Sequence, residues 1–366
     1  MPPGSTPPDA PPRASADGKS EQGRLFAGAA PRVLVSLLIA VGFVWLLARG
    51  GLPLLPPREA LRQIPVWTVV GFALLQLASI FVRTYRWVFL LRPIAPKIRP
   101  ARVVGIGLVG FSAIFLAPLR MGEVVRPYLL AQDGEVSFMQ AAGSLFAERV
   151  IDGVVLTLAS TAALTFATMV SPLPTSLGSL PLPLATVPAA VYTATLAFVG
   201  LFVVMIAFYV ARDWARRVTR AIVGLVSERA AVWASTTLER VADGLHFLPS
   251  RGSLASFLAA TFGCWTLTIL SHWLMLRGAG LPATFGQATA LVGILGLGAV
   301  VPAGPGLFGT YQIASFSALA LFFPLHQVRN VGAALIFVSY AVSLVLSSIQ
   351  FVFGFLLMER LPAAER

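Results

Sequence analysis

Pro118-Leu119-Arg120-Met121-Gly122-Glu123-Val124-Val125-Arg126 sets three charged side chains and two helix breakers inside an apolar stretch. A charge at the bilayer centre costs about 2.5–3.5 kcal/mol on insertion scales, so it needs a partner or a task. A helix resuming after Gly122 would stack Glu123 and Arg126, three apart, on one face. With Arg120 beside them, one cation and one anion neutralise each other and leave one positive charge, which suits an anionic headgroup. A structural ion pair pinning the turn is the alternative.

Glu148, Arg149 and Asp152 stand at the head of the apolar run that begins at Val150, with Glu148 and Asp152 four apart and so on one helix face. The macrodipole favours acids at a helix N-terminus, a purely structural reading; partnership with Arg120 or Arg126 is the functional one. Arg83 and Arg86, three apart and followed by Trp87, close the preceding run. Interface anchoring explains basic and aromatic residues there, while a guanidinium also matches phosphate oxygens bidentately. A second break, Val301-Pro302-Ala303-Gly304-Pro305-Gly306-Leu307-Phe308-Gly309-Thr310-Tyr311-Gln312, allows a tight turn. A helix resuming near Leu307 would aim its free N–H groups into a site, a natural place for an anion.

Such residues need a membrane scaffold. Of the 366 residues, 57% are hydrophobic and 11% charged, and mean hydropathy is +0.82; soluble chains are about 45–50% apolar and about 25% charged. Ile64 to Val82, Val150 to Val170, Val187 to Val210, Leu254 to Leu276 and Val331 to Met358 approach or exceed the roughly 20 residues that cross a hydrocarbon core, and Val33 to Ala48 is a shorter candidate. Residues 1–31, with paired prolines among small polar residues, cannot bury a core and are predicted to be a disordered tail ahead of a transmembrane domain over 32–360. One cysteine, Cys264, and three scattered histidines give no disulfide framework, no metal motif and no cofactor site. The net charge of +12 is a membrane orientation signal here, not a nucleic-acid footprint, because the arginines flank spans.

Basic loops set the topology. Arg83 to Arg102 and residues 212–251 are arginine-rich and expected in the cytoplasm, and the uncharged stretch Ser171 to Thr186 outside. Parity between these landmarks fails if Val103 to Leu119 and Val150 to Val170 both cross. It is restored if Val103 to about Leu130 forms a re-entrant hairpin broken at Pro118 to Gly122, and a second hairpin, Ala283 to Val301 and Leu307 to Leu325, breaks at Pro302 to Gly306. The expected fold is an all-α polytopic membrane protein with about six full spans and two re-entrant helical hairpins. Repeat 1 covers about 64–170 and repeat 2 about 254–358, inverted with respect to each other, the arrangement that places a transporter's site near the midplane. If the hairpins cross instead, the count becomes eight or so spans. Both termini are expected in the cytoplasm, in the cell membrane. Residues 212–250, with Trp214, Val218, Ile222, Leu225, Leu238, Val241 and Leu245 at helical spacing, read as an amphipathic segment lying in the headgroup layer or packing on the spans.

In this order, Arg83-x-x-Arg86-Trp87, Pro118-x-Arg120-x-Gly122-Glu123-x-x-Arg126, Glu148-Arg149-x-x-Asp152 and Pro302-x-x-Pro305-Gly306-x-x-Gly309-Thr310 resemble the membrane region of the lysylphosphatidylglycerol synthase family and its stand-alone flippase-like relatives, over about residues 33–358. The resemblance implies a membrane protein that moves a lipid or lipid-linked headgroup. It carries over Arg83, Arg86, Arg120, Glu123, Arg126, Glu148, Arg149, Asp152 and the loop Pro302, Gly304, Pro305, Gly306, Gly309, Thr310 as the binding set. The sequence departs at Gln312, a position often acidic in relatives, and ends at Arg366 without the aminoacyl transferase domain of bifunctional members, so lysine transfer is not expected. The expected partner is a lipid with an anionic headgroup. A membrane enzyme acting on a lipid or polyprenyl phosphate, with Glu123 or Asp152 as base, is the runner-up. A structural or accessory subunit of an envelope-assembly complex is the third class, and a second copy of the chain or an envelope-assembly protein is a further candidate partner.

Overall fold

The computed structural model describes residues 34–361 except 36, 118–121, 182, 212–216, 218–234, 237–239, 241, 247, 249 and 302. The predicted tail, the first break with Arg120, Pro302 and most of the amphipathic segment lie outside these residues. Among the described residues every regular element is a helix. The main ones are α1 (Leu37–Arg49), α2 (Val66–Leu91), α3 (Pro100–Leu116), α4 (Gly122–Gln132), α5 (Phe138–Phe166), α6 (Thr186–Val210), α7 (Arg251–Gly278), α8 (Phe285–Gly298), α9 (Thr310–Phe322) and α10 (Leu325–Arg360). Five of them, α2, α5, α6, α7 and α10, are long and apolar enough to cross a membrane.

The hairpin arms are shorter. α3 has 17 residues, α4 has 11, α8 has 14 and α9 has 13, which at about 1.5 Å per residue falls short of a hydrocarbon core about 30 Å thick. Each arm packs against its mate, α3 on α4 and α8 on α9. Between the halves the pairing is reciprocal: α2 lies along α7, α3 along α10 and α8 along α5. The first span of each half therefore meets the other first span, and one arm of each hairpin meets the other half's last span. α2 and α7 run antiparallel: Phe72 stacks edge-on to His272, the Ser79 and Thr268 hydroxyls are 2.8 Å apart, and Arg86 reaches Thr261.

One boundary bears directly on the charged residues. α5 starts at Phe138, not Val150, because Ser137 and Gln140 form a capping box and the chain turns helical there. Glu148 and Asp152 thus sit nearly three turns inside the helix and beyond, and capping electrostatics does not account for them.

Candidate functional site

At the centre of the bundle four charged side chains close on one another. Arg86 of α2 donates to both carboxylate oxygens of Asp152, at 2.6 and 2.5 Å, to Glu148 Oε1 at 3.3 Å and to Thr261 Oγ1 at 3.1 Å. Arg126 of α4 grips Glu148 bidentately, at 3.1 and 3.0 Å. The four-residue spacing on α5 lets Glu148 and Asp152 share Arg86. Arg86, Arg126 and Glu148 are wholly buried and Asp152 nearly so. Two cations meet two anions, which makes burial of all four tolerable.

Aromatic rings and one glycine shape this cluster. The Arg126 guanidinium lies 4.4 Å from the Trp87 ring centre and 4.3 Å from that of Phe111, while the Trp87 indole N–H donates to Ser144 Oγ at 3.1 Å. Trp265 of α7 donates to Asp152 Oδ1 at 3.0 Å. Arg126 reaches Glu148 by passing over Gly110 of α3, where a methyl group would overlap its aliphatic stem.

A cavity of about 350 Å³ adjoins the cluster, lined from α2, α3, α5, α7, α8 and α10, by Phe198 of α6 and by Tyr311 of α9. Val300, on its wall, is 59% exposed, so the cavity reaches the surface beside the second break. Arg83 and Arg149 line it beside Asp152. Arg83 has no carboxylate within 4.0 Å among the described residues, and its buried Nε has no hydrogen-bond partner; its guanidinium lies 4.7 Å from the Trp265 ring centre. Arg149 touches Glu123 and Glu148 only at 4.0 Å.

At the second break, Gly306, Leu307 and Gly309 all have positive φ, and α9 begins at Thr310, three residues later than expected. Its first turn is closed from within: Gly309 N–H donates to Gln312 Oε1 at 2.7 Å, and Thr310 Oγ1 donates to Leu307 O at 3.1 Å. Gly304 packs on Ala40, Gly306 under Tyr340 and Gly309 on Phe43. Leu307 and Tyr311 face the cavity, whereas Thr310 and Gln312 are buried in the packing.

The expected site residues thus divide. Arg86, Arg126, Glu148 and Asp152 form the closed cluster, Arg83, Arg149 and Asp152 face the cavity, and Glu123, half-exposed, lies 4.0 Å from Arg149 rather than bonded to Arg126. Pro305 belongs to the 3-10 turn beside Gly306; Arg120 and Pro302 are outside the described residues. Thr261, Trp265, Thr268 and His272 are additions from α7. Their spacing, one polar or aromatic-polar residue every three or four positions on an apolar span, is a signal present in the sequence.

No solved structure matches the chain. It is 25% identical over 283 residues to "Glycosyltransferase AglD" of Haloferax volcanii, an alignment covering 73% of this chain and 45% of that protein, so the chain spans about half the length of the relative it matches. The family described as "Lysylphosphatidylglycerol synthase TM region" matches residues 33–349. That span takes in both hairpins, the ion cluster and all the cavity's lining residues but Gln350, and the chain belongs to this family of multi-pass membrane proteins.

Proposed function

We propose that the protein moves an anionic, phosphate-bearing lipid headgroup across the membrane, with the cavity as the headgroup site. The observation that carries this reading is Arg83, a cation without a carboxylate partner facing a cavity enclosed by elements of both halves. Such a group has its charge available for phosphate, whose oxygens a guanidinium matches. Arg149 supplies a second, weakly paired cation on the same wall. The closed cluster beside them is neutral and sets the geometry without competing for the ligand. Antiparallel first spans and reciprocal pairing of the halves are what an inverted repeat requires, which supports alternating access to a midplane site. The arginine-rich segment Arg83 to Arg102 supports a cytoplasmic mouth for the first hairpin.

The family name and the relative's name point to assembly of lipids or glycans at a membrane, and transport of a lipid-linked intermediate fits both. Glycosyl transfer is the second reading, favoured by that relative's name. Asp152 is not available as its base: both its oxygens accept from Arg86, and Trp265 donates a further bond to it. Purified protein in liposomes, with a headgroup-labelled anionic phospholipid, tests the proposal by quencher accessibility of the two leaflets. Exchange that Arg83→Ala abolishes supports it. A lipid of altered mass appearing in the same vesicles overturns it in favour of the enzyme.

A further inference from the structure

We infer that the headgroup carried in this cavity is a phosphodiester joined to a neutral hydroxylated group, such as a sugar or a cyclic polyol, and not an aminoacyl or amino-alcohol headgroup. This rests on the transport reading and specifies its substrate class.

The cavity carries two kinds of polar group. Arg83 and Arg149 are cationic and suited to phosphate. Among apolar side chains the wall also carries neutral polar ones: Gln76 from α2, Thr268 from α7, and Ser343, Ser347 and Gln350 from α10. The last three recur at helical spacing and so form a stripe. Thr268 and Ser343 spend their hydroxyl protons on their own helices, donating to Cys264 O and Ser339 O at 2.9 and 2.8 Å, and so face the cavity as acceptors. Gln350 donates to Leu108 O at 3.1 Å. Gln76 and Ser347 have no hydrogen-bond partner among the described residues. Acceptors and a free amide set among the apolar side chains of the wall match a ring of hydroxyls, each both donor and acceptor. Hydrocarbon against Gln76 and Ser347 would leave their side chains unsatisfied, which is costly.

The acids decide against an ammonium. Asp152 is the only carboxylate lining the cavity among the described residues, and both its oxygens are engaged by Arg86 and one by Trp265. A lysyl ester or an ethanolamine would bring a cation to a site whose charges are already cationic, with no carboxylate free to receive it. At the second break Gln312 turns its amide oxygen to Gly309 N–H, so no negative charge is contributed there. The volume of about 350 Å³ sits at the low end of small-molecule sites, about 300–1,000 Å³, which admits a headgroup and leaves the lipid chains outside.

The test is a binding panel by native mass spectrometry on wild-type protein in detergent, run beside the leaflet-exchange assay. The lipids are a hexosyl phosphoisoprenoid, phosphatidylinositol, phosphatidate, phosphatidylethanolamine and lysyl-phosphatidylglycerol. The hexosyl phosphoisoprenoid and phosphatidylinositol place the hydroxylated ring on different tails, and the tighter of the two names the tail. Either hydroxylated lipid is expected to bind about tenfold tighter than the other three, the worth of one or two hydrogen bonds. Gln76→Leu and Ser347→Ala are expected to bring it down toward phosphatidate. Equal or tighter binding of the lysyl or ethanolamine lipid, or no preference over phosphatidate, overturns the headgroup assignment while leaving lipid movement standing. The preference without any leaflet exchange supports the assignment and overturns transport alone. No binding by any of the five, with no exchange, overturns both.

Discussion

Glu148 is where the ion cluster is most vulnerable. It is the only carboxylate bonded to Arg126 among the described residues and the second partner of Arg86, and all three groups are wholly buried. Glu148→Ala leaves Arg126 without a counterion inside the bundle, and removing one partner of a buried pair costs about 3–5 kcal/mol. The rings of Trp87 and Phe111 already flank Arg126 in the native protein and so return nothing new. Arg86 keeps its two bonds to Asp152. Arg83→Ala, by contrast, removes a side chain with no carboxylate partner and loses contacts to Trp265 and Phe111 worth about 0.5–1 kcal/mol. Combining Arg126→Met with Glu148→Gln removes the unmatched charge while an amide oxygen still faces Arg86, and replacing a buried pair by neutral groups is often tolerated. Loss of monodisperse protein on heating in mild detergent should rank wild type and Arg83→Ala together at the top, the double variant below them, and Glu148→Ala lowest. Melting of Glu148→Ala alongside wild type, or a double variant below Glu148→Ala, would refute the reading of this cluster as a closed, mutually dependent unit.

Gly110→Val should lower abundance and stability by about 1–3 kcal/mol through overpacking, because its side chain would occupy the path Arg126 takes to Glu148; expression and melting measure it. Arg102→Ala should destabilise the protein by about 1–2 kcal/mol, since Arg102 pairs bidentately with Asp133 at 3.0 and 2.9 Å and donates to Met358 O at 2.7 Å; Asp133→Asn should cost less, because the Met358 bond survives. In a Cys264→Ala background, cysteines at Val124 and Val301, both at least half-exposed, should react with an impermeant thiol reagent from opposite sides of the membrane. Labelling of both from one side would refute the inverted arrangement.

Much of the scaffold is legible from apolar run length. The centres of the five long helices fall on the expected runs, because a stretch of about 20 apolar residues has few alternatives to a helix in lipid. Boundaries are less legible where polar residues belong to the helix interior. The first turns of α5 hold Gln140, Ser144, Glu148 and Arg149, which read as a loop until their partners on α2 and α4 are known. Local spacing correctly joined Glu148 with Asp152. It favoured Glu123 with Arg126, but Arg126 forms its bonds across the bundle to Glu148, a choice set by Gly110 on a different helix. The polar face of α7 is legible in principle as Thr261, Trp265, Thr268 and His272 at helical intervals, since a polar stripe on an apolar span must face protein or a cavity. The similar stripe on α10 carries the same information.

On the proposed transport reading, the division between a closed cluster and an arginine without a carboxylate partner has a physical consequence. Charges that hold a fold together cannot also release and regain a ligand in each cycle without exposing the fold to an unpaired buried charge at every release. Arg86, Arg126, Glu148 and Asp152 are matched two against two and need no ligand to remain buried. They join α2, α4, α5 and, through Thr261 and Trp265, α7, so both halves are fixed at this point whether the cavity is full or empty. Arg83 stands one turn away on α2, resting on Trp265, whose own N–H is held by Asp152. Its position is therefore set by the cluster while its charge is not spent on it. Water can satisfy that charge when the cavity is empty, and phosphate can replace the water when it is full. The free-energy difference between the two states then falls on one side chain at the cavity wall, which is the condition for binding a headgroup firmly enough to enter and loosely enough to leave.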